Sequence, residues 1–415
     1  MSRYIPIFIF ASVIFIIDIY SFQAIRHAIT FSSAGLKRFV TITYFAITAF
    51  TVGSIFFFSL FYSLFNLPQT LRVIWLGALI IFYLPKILLI PFLLIDDLRR
   101  GLQWMAIKII PFKNINATRN ISRSNFLTQM GLVVSGLYLS GLIYGVFRGG
   151  YNYQVKKISL LLPNLPEKYN GLRIAQISDI HSGSFTVTSP LAHAVKLVNK
   201  QQPDLVFFTG DLVNNSSDEI LPFISIFKNI KARLGIYSIL GNHDYGDYSS
   251  WPTEEAKREN LHQLVNAHKK LGWHLLRNEN VLIGNPEEQI AIIGMENWGT
   301  RFQKYGDMAK SYAGSEKAKV KLLLSHDPTH WDAEVSKAYK DVDVTFSGHT
   351  HGFQMGIEIP GFIRWSPSQY FYPHWAGLYQ ELNQYLYVNR GLGFLAYPGR
   401  LGISPEITLI ELKKT

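Results

Sequence analysis

Five short polar motifs, each placed after an apolar, strand-like run, occupy the second half of the chain. They are Asp179-Ile180-His181, Gly210-Asp211, Gly241-Asn242-His243-Asp244, Ser325-His326-Asp327 and Gly348-His349-Thr350-His351. Strands that deliver carboxylate, amide and imidazole groups to one edge of a sheet can bind two divalent cations there. Two such cations activate water and neutralise phosphoryl oxygens. The motifs therefore predict a metal-dependent phosphoesterase.

The donor types narrow the identity of the cations. Asp179 and His181 flank one residue, so their side chains can converge on one cation in an extended turn. The carboxylate of Asp211 has two oxygens and can bridge two cations about 3.5 to 4 Å apart. Imidazole nitrogens combined with hard oxygen donors favour Mn²⁺, Fe or Zn²⁺ over copper and do not choose among the three. The chain has no cysteine, which excludes thiolate ligands and disulfides.

The order and identity of the motifs resemble the calcineurin-like metallophosphoesterase family over residues 151–415. The run from Gly348 to Gln354 and the tail segments 388–393 and 405–408 resemble its bacterial, membrane-associated branch. The resemblance implies an α/β fold, a four-layer α-β-β-α sandwich with two metal ions at the strand ends, and it favours manganese. It also implies the ligands of each cation: Asp179, His181, Asp211 and His351 for one, and Asp211, Asn242, His326 and His349 for the other.

Two further residues of the third motif are candidates for catalysis. His243 is not a ligand in the family pattern, and the resemblance makes it the group that protonates or stabilises the leaving oxygen. Asp244 could orient His243, as a carboxylate often does for a catalytic imidazole. A turn cap is an equally weighted alternative for Asp244, because aspartate is common in that position.

Alternating strand and helix patterns predict the elements that position these motifs. Strands are predicted at 172–178, 205–209, 236–240, 290–294, 321–325, 342–346, 386–388 and 407–412. Helices are predicted at 190–200, 219–228 and 253–271. This alternation is typical of layered α/β domains.

The first part of the chain has a different composition. Apolar runs at 6–20, 39–65, 73–95 and 126–147 predict four membrane spans, with an uncleaved signal peptide as the alternative for the first. We therefore expect a transmembrane domain, 1–150, and a catalytic domain, 151–415. The role that we assign to the spans is anchoring.

The positive charge of the chain is better explained by a membrane than by nucleic acid. The formal net charge is +11, but the basic residues cluster in two loops between spans. These residues are Arg26, Lys37, Arg38, Arg99, Arg100, Lys108, Lys113, Arg119 and Arg123. Fewer lie on the other side, namely Arg3, Arg72, Arg148, Lys156 and Lys157. The positive-inside rule then predicts a multi-pass protein of the cytoplasmic (inner) membrane with an extracytoplasmic catalytic domain.

Two features of the spans are unusual. Asp18 and Lys86 are ionisable groups at membrane depth, where pairing lowers their cost, and snorkelling toward the head groups is the alternative. Gly141 and Gly145 form a small-xxx-small step, which favours packing within the bundle and leaves a homodimer contact as the second choice.

The segment 354–378 bears on the substrate. It is rich in aromatic residues and directly follows His351. Such residues suit a membrane interface, which predicts a lip for a phosphorylated lipid, while a buried aromatic cluster is the alternative. Arg390 and Arg400 are second-line candidates for phosphate contact, with surface ion pairs as the alternative. A phosphodiesterase or phosphomonoesterase for soluble nucleotides, and a non-catalytic metal-dependent sensing module, are the alternative functions.

Overall fold

The computed structural model describes residues 5–60, 67, 69–109, 121–359 and 361–415. The chain divides into two compact units, Met1–Tyr144 and Gly145–Thr415. The domains 1–150 and 151–415 stay predictions. Of the basic residues used to predict orientation, Arg3, Lys113 and Arg119 lie outside the described residues, as does the side chain of Arg123.

The first unit contains long apolar helices. They are α1 Ile5–Ala28, α2 Ala34–Leu60, α3 Gln69–Ile109 and α4 Ile121–Phe147. Within the described residues these four helices are long and apolar enough to cross a membrane. The helix α1 has 24 residues and extends beyond the predicted run 6–20, which favours a span. Residues 61–65 of the second predicted span lie outside the described residues.

The interior of the membrane unit contains the predicted pair. The carboxylate of Asp18 is fully buried and accepts hydrogen bonds from Lys86 and from the hydroxyl of Tyr83. Pairing of Asp18 with Lys86 is therefore confirmed, and snorkelling of Asp18 is wrong. A Cβ at Gly131 would lie 2.9 Å from Leu89 and Phe92, so this glycine allows close packing inside the bundle. A homodimer contact stays a prediction.

The second unit is an α/β domain. Its strands are β1 Gln154–Leu162, β2 Leu172–Ile177, β3 Leu205–Phe208, β4 Ile236–Ser238, β5 His274–Leu275, β6 Glu279–Ile283, β7 Ile290–Gly294, β8 Val320–Leu324, β9 Val344–Ser347, β10 Ile357–Ile359, β11 Ile363–Trp365, β12 Gly377–Glu381, β13 Gln384–Val388 and β14 Glu406–Lys414. Its α-helices are α5 Ser189–Lys200, α6 Ile224–Phe227, α7 Glu254–Leu271, α8 Met308–Tyr312 and α9 Ser336–Ala338.

In the described residues of this unit, two six-stranded sheets carry the fold. One has the order β1-β14-β2-β3-β4-β5 and the other β12-β13-β9-β8-β7-β6. The strands β2, β3, β4 and β5 are mutually parallel, and so are β7, β8, β9 and β13. Parallel strands bring their carboxyl ends to the same sheet edge, which is where the five motifs begin.

Alternating side chains bury both faces of each sheet and create four layers. Ile174 and Phe207 point into a core between the two sheets, while Val206 and Phe208 face the core under α5 and α7. On the second sheet, Ile293 and its neighbours pack beneath α8 and the turn Trp331–Val335. Successive residues of a strand point to opposite faces, so strands that are buried on both sides read as continuous apolar runs. The predicted α-β-β-α sandwich is confirmed.

Several elements differ from the prediction. The strands β1, β5, β6, β10, β11 and β12 were not predicted. Of these, β1 contains Lys156 and Lys157, which the charge pattern of the sequence assigns to the membrane flank. The helix predicted at 219–228 is instead a 3₁₀ segment, Ser217–Phe223, followed by α6. Pro222 lies at this junction and lacks the backbone N–H that a continuous helix would use.

Candidate metal centre

The predicted ligands lie on turns that directly follow five strands. Asp179 and His181 follow β2, Asp211 follows β3, Asn242 follows β4, His326 follows β8, and His349 and His351 follow β9. Five of these residues have a left-handed backbone conformation: Asp179, His181, Asp211, His349 and His351 have φ between 47° and 72°. This conformation is strained for residues other than glycine, and such strain clusters at functional sites.

Two glycines allow the turns to approach one another. A Cβ at Gly210 would lie 2.6 Å from the amide nitrogen of Gly241, and φ at Gly210 is +96°. A Cβ at Gly348 would lie 2.2 Å from Oδ2 of Asp179. Both distances are too short for any side chain, so glycine is required where the motifs meet.

The first group of donors consists of Asp179, His181 and His351. One ligand atom from each lies within 4.8 Å of the others. Nε2 of His351 lies 3.3 Å from Oδ1 of Asp179, and Nε2 of His181 lies 3.4 Å from Oδ2 of Asp211. These two buried nitrogens make no hydrogen bond with any described residue. Buried polar atoms normally find a partner, so unsatisfied nitrogens facing carboxylates fit a cation site.

The second group consists of Asp211, His326 and His349, again within 4.8 Å. Nε2 of His326 lies 3.2 Å from Oδ2 of Asp211, 3.2 Å from Oδ1 of Asn242 and 3.3 Å from Nδ1 of His349. Oδ2 of Asp211 thus adjoins both groups, as a bridging carboxylate requires. The structure brings the seven predicted ligands together, and their assignment to individual cations stays a proposal.

Outer partners orient three of the imidazole rings. Nδ1 of His181 lies 3.1 Å from Oδ1 of Asn214, Nδ1 of His326 lies 2.7 Å from the carbonyl oxygen of Thr209, and Nε2 of His349 lies 2.9 Å from the hydroxyl of Tyr372. If each of these nitrogens carries the proton and donates it outward, the other nitrogen of the ring presents a lone pair to the centre. The donor set therefore fits two divalent cations.

The charges of the centre are strongly coupled. Burial opposes ionisation of Asp211, but His326 and His243 outweigh it and hold the pKa of this carboxyl well below its usual range. Burial likewise opposes the charge of His326, yet Asp211 beside it raises the pKa of the imidazole to about 10. Carboxylates and imidazoles thus stabilise one another in the protein alone. Cation binding would replace the imidazole protons, which couples affinity to pH.

His243 and Asp244 occupy different environments. Nδ1 of His243 lies 2.8 Å from the carbonyl oxygen of Asn214, and burial lowers the pKa of His243 to about 4. The imidazole is therefore neutral near pH 7, and its proton on Nδ1 leaves Nε2 with a lone pair. One atom of His243 also lies within 4.8 Å of ligand atoms of His181 and Asp211.

Asp244 has the contacts of a cap. Its carboxylate accepts hydrogen bonds of 2.8 to 3.2 Å from the backbone N–H groups of Asp211, Leu212, Val213 and Gly241. The group that orients His243 is the carbonyl of Asn214. Of the two roles that the sequence suggests for Asp244, catalytic partner of His243 or turn cap, these contacts correspond to the turn cap. Asp244 is thus placed to hold the loops that present Asp211 and Asn242.

The two arginines predicted as phosphate contacts instead bind carboxylates and backbone carbonyl groups of the protein. Arg390 is buried and pairs with Glu358 and Glu406. Arg400 is also buried, and its Nη2 donates to the carbonyl oxygens of Arg390, Gly391 and Gly393. Their predicted role is wrong, because neither guanidinium is accessible to a substrate. Sequence reasoning could not show this burial, since both residues lie in a glycine-rich tail typical of an exposed loop.

Residues that the sequence did not single out complete the centre. A cavity of about 240 Å³ adjoins the predicted ligands and is walled by Tyr248, Phe302, Phe353, Tyr372 and Leu395. The exposed guanidinium of Arg301 lies 5.8 Å from the ring centres of Phe371 and Tyr372. Tyr372 belongs to the aromatic segment noted in the sequence, whereas Phe302 and Arg301 carry no local pattern that predicts them.

Comparison with known families supports the reading of both units. A family model described as calcineurin-like phosphoesterase matches residues 172–353. Another, described as probable calcineurin-like phosphoesterase, transmembrane domain, matches residues 2–150.

Individual relatives extend this comparison. A transmembrane protein with metallophosphoesterase domain from Danio rerio is 28% identical over 69% of this chain, which spans 63% of that relative's length. The uncharacterized metallophosphoesterase YkuE of Bacillus subtilis is 27% identical, over 72% of this chain and 99% of the relative. The UDP-2,3-diacylglucosamine pyrophosphatase LpxG of Chlamydia trachomatis is 30% identical, over 57% of this chain and 83% of the relative.

Proposed function

The chain belongs to the calcineurin-like phosphoesterase family, and on that premise we propose that it hydrolyses a phosphoester or pyrophosphate bond in a lipid or lipid-linked substrate. It is a metal-dependent phosphoric ester hydrolase with helices that make it a membrane protein. The class of substrate, the identity of the metal and the side of the membrane on which the catalytic unit lies are parts of the proposal.

The residues of the centre have distinct roles in this proposal. Asp179, His181, Asp211 and His351 hold one cation, and Asp211, Asn242, His326 and His349 hold the other. When bound, two divalent cations supply the positive charge that stabilises phosphoryl oxygens and activate water for attack on phosphorus. Manganese is the proposed metal, with Fe and Zn²⁺ as alternatives. His243 protonates or stabilises the leaving oxygen in this proposal. Because its Nδ1–H donates to the carbonyl of Asn214, it does so with a second proton, taken up on Nε2.

The observation that carries the lipid proposal is an apolar surface that begins at the metal cavity. Phe353 walls the cavity, and its ring lies 5.3 Å from that of Phe371. Phe371 is 48% exposed, and Phe362 on the β10-β11 hairpin is 87% exposed. Large exposed apolar patches commonly mark binding or membrane surfaces. Tyr372 and Trp375 of the same segment are buried, so only part of the predicted lip is available to a lipid.

The relatives and the charge distribution are consistent with this proposal. One relative is a pyrophosphatase of a diacylated nucleotide sugar, which makes a lipid-linked pyrophosphate a reasonable substrate class. Arg26 lies near the end of α1, and Arg99 and Arg100 lie in the last third of α3. Under the positive-inside rule these ends face the cytoplasm of an inner membrane, and the catalytic unit is then extracytoplasmic.

The proposal is tested with purified full-length protein, Mn²⁺ and a total membrane lipid extract, with the Asp211→Asn variant as the blank. Mass spectrometry follows the lipids and the released head groups. We expect one class of phosphate-bearing lipid to disappear only with the unmodified protein, and the products identify the cleaved bond. Unchanged lipids together with hydrolysis of a chromogenic phosphodiester would instead favour soluble nucleotides as substrates.

A second experiment tests the apolar surface itself. We expect Phe371→Ser and Trp365→Ser to slow hydrolysis of the lipid substrate more than that of a soluble chromogenic ester. Leu221→Ser is the matched control, because Leu221 is 53% exposed and lies on another part of the catalytic unit. Equal losses on both substrates would show that the segment supports the fold rather than the lipid. Absence of turnover on any ester would favour the sensing module.

A further inference from the structure

The membrane unit contains a second cavity, which is unrelated to the metal centre. Its volume is about 650 Å³, and residues of α1, α2, α3 and α4 line it. The polar part of the lining includes Arg26 and His27 from the end of α1, Asp97 and Arg100 from α3, and Thr128 from α4. All of these residues belong to the unit Met1–Tyr144.

The charged groups around this cavity leave one cation without a partner. Arg100 pairs with the buried carboxylate of Asp96, which also pairs with Arg99. Asp97 lies 3.7 Å from the guanidinium of Arg100 and accepts a hydrogen bond of 2.7 Å from the hydroxyl of Tyr20. The guanidinium of Arg26 is exposed and makes no ion pair or hydrogen bond with any residue that the structure describes. The charged residues that line the cavity, counted with their ion-pair partners, therefore have an excess positive charge, which lies on Arg26.

The cavity is polar at one end and apolar at the other. Ile19 and Phe22 precede Arg26 by about two turns and one turn of α1, and Leu93 precedes Arg100 by about two turns of α3. At a rise of 1.5 Å per residue, these apolar side chains lie roughly 6 to 10 Å deeper in the membrane than the arginines. Inorganic phosphate would use only the polar end, whereas a phospholipid has a phosphodiester above acyl chains and matches both ends.

We infer that this cavity binds one phospholipid of the surrounding bilayer, with Arg26 as the main ligand of its phosphodiester. The single negative charge of a phosphodiester balances the unpaired guanidinium, and charge-assisted hydrogen bonds from arginine to phosphate are among the stronger ones. The acyl chains lie along Ile19, Phe22 and Leu93. Basic pockets between helices on the cytoplasmic side commonly bind lipid head groups. The bound lipid joins α1 to α3 and stabilises the helix bundle.

The experiment uses full-length protein in dodecyl maltoside with added dioleoylphosphatidylglycerol. Native mass spectrometry measures the retained lipid, and thermal unfolding measures its stabilising effect. We expect Arg26→Gln to retain the lipid about tenfold less well, as expected for the loss of a charged contact. Arg38→Gln is the matched control, because Arg38 is an exposed arginine near the start of α2 that does not line the cavity. It should behave like the unmodified protein.

Three results would overturn the inference. Equal lipid retention by the Arg26→Gln and Arg38→Gln variants would show that Arg26 does not bind the phosphodiester. Dioleoylglycerol has the same chains without phosphate, and equal retention of it would reduce the site to an apolar crevice. Displacement of the lipid by inorganic phosphate at millimolar concentration would indicate a phosphate site instead. Unfolding in lipid-free detergent, expected to be the same for both variants, separates lost binding from lost folding.

Discussion

Asp18 in the membrane unit and Asp211 in the catalytic unit are both buried carboxylates, but their surroundings differ in kind. Asp18 accepts hydrogen bonds from two tyrosine hydroxyls, those of Tyr44 and Tyr83, and from the ammonium group of Lys86. Oδ2 of Asp211 instead faces Nε2 of His181 and of His326, at 3.4 and 3.2 Å. Asp18 is surrounded by hydrogen-bond donors. Asp211 accepts one backbone hydrogen bond at Oδ1, from His243, and its Oδ2 faces imidazole nitrogens that are able to bind a cation.

This difference separates a structural polar cluster from a binding site. A buried carboxylate costs several kcal/mol unless it is paired, so a group surrounded by donors needs nothing further. The charge of Asp211 is instead offset by the imidazoles of His326 and His243, and a bound cation can take over this role. Burial and charge alone would therefore treat Asp18 and Asp211 alike, and the chemical type of the neighbouring groups, hydroxyl and ammonium against imidazole, distinguishes them.

The largest expected effect comes from Asp211→Asn. We expect the variant to lose the bridging carboxylate, its metal content and at least about 1000-fold in turnover of a chromogenic ester, equivalent to roughly 4 kcal/mol. Elemental analysis and steady-state kinetics measure both quantities. Asp218→Asn is the control, since Asp218 is an exposed aspartate of the same unit and should change neither. Unchanged metal content in the Asp211→Asn variant would remove Asp211 from the centre.

Lys86→Leu tests the other side of the comparison. It leaves the Asp18 carboxylate buried without its cation, and we expect a loss of about 3 to 5 kcal/mol in the free energy of unfolding of the membrane unit. Chemical unfolding of the full-length protein in detergent measures the loss. The double variant Asp18→Asn, Lys86→Leu removes both charges but keeps an oxygen acceptor for Tyr83, so it should recover most of the stability. A single variant as stable as the unmodified protein would show that the pair is not structural.

Asp244→Asn separates support of the centre from catalysis. The carboxylate of Asp244 accepts four hydrogen bonds from backbone N–H groups, whereas the amide of the variant has a single oxygen to accept them. Because partners behind a metal site typically contribute 10- to 100-fold, we expect about that loss in metal affinity or activity. Titration of activity with Mn²⁺ distinguishes the two roles. Recovery at high Mn²⁺ indicates a positioning residue, whereas a low rate at saturating Mn²⁺ would assign Asp244 to the reaction itself.

The sequence predicts the metal ligands better than it predicts the groups that hold those ligands in place. Strand-end motifs place Asp179, Asp211 and His326 together because parallel strands share an edge, and this requires only local patterns. The outer partners cannot be predicted in this way. The carbonyl of Thr209 and the backbone amides bonded to Asp244 have no side-chain identity, and the burial of Arg400 depends on tertiary packing. The strand β1, which contains charged residues, could not be predicted from local patterns either, since its place in the sheet depends on pairing with β14.

His268 shows that a buried imidazole nitrogen without a hydrogen-bond partner does not by itself indicate a metal site. Its Nε2 is buried and makes no hydrogen bond with any described residue, but Nδ1 contacts only the hydroxyl of Ser238, and the ring lies among Phe208 and Trp273. One unsatisfied nitrogen among aromatic rings is thus not a metal site. Convergent carboxylates are the further requirement.

The expected consequence at His268 is a pH-dependent stability. Burial lowers the pKa of His268 in the folded protein to about 3, whereas an unfolded histidine titrates near 6.5. Below pH 6.5 the unfolded chain binds a proton that the folded protein does not, so stability falls with acidification. We expect His268→Phe to remove about 1.4 kcal/mol of this loss per pH unit between pH 5.5 and 4.5, measured by chemical unfolding. His262→Phe, at an exposed histidine of the same helix, should keep the full slope. Equal slopes in the two variants would mean that His268 takes up its proton in the folded state, and that its Nε2 has a partner in solution.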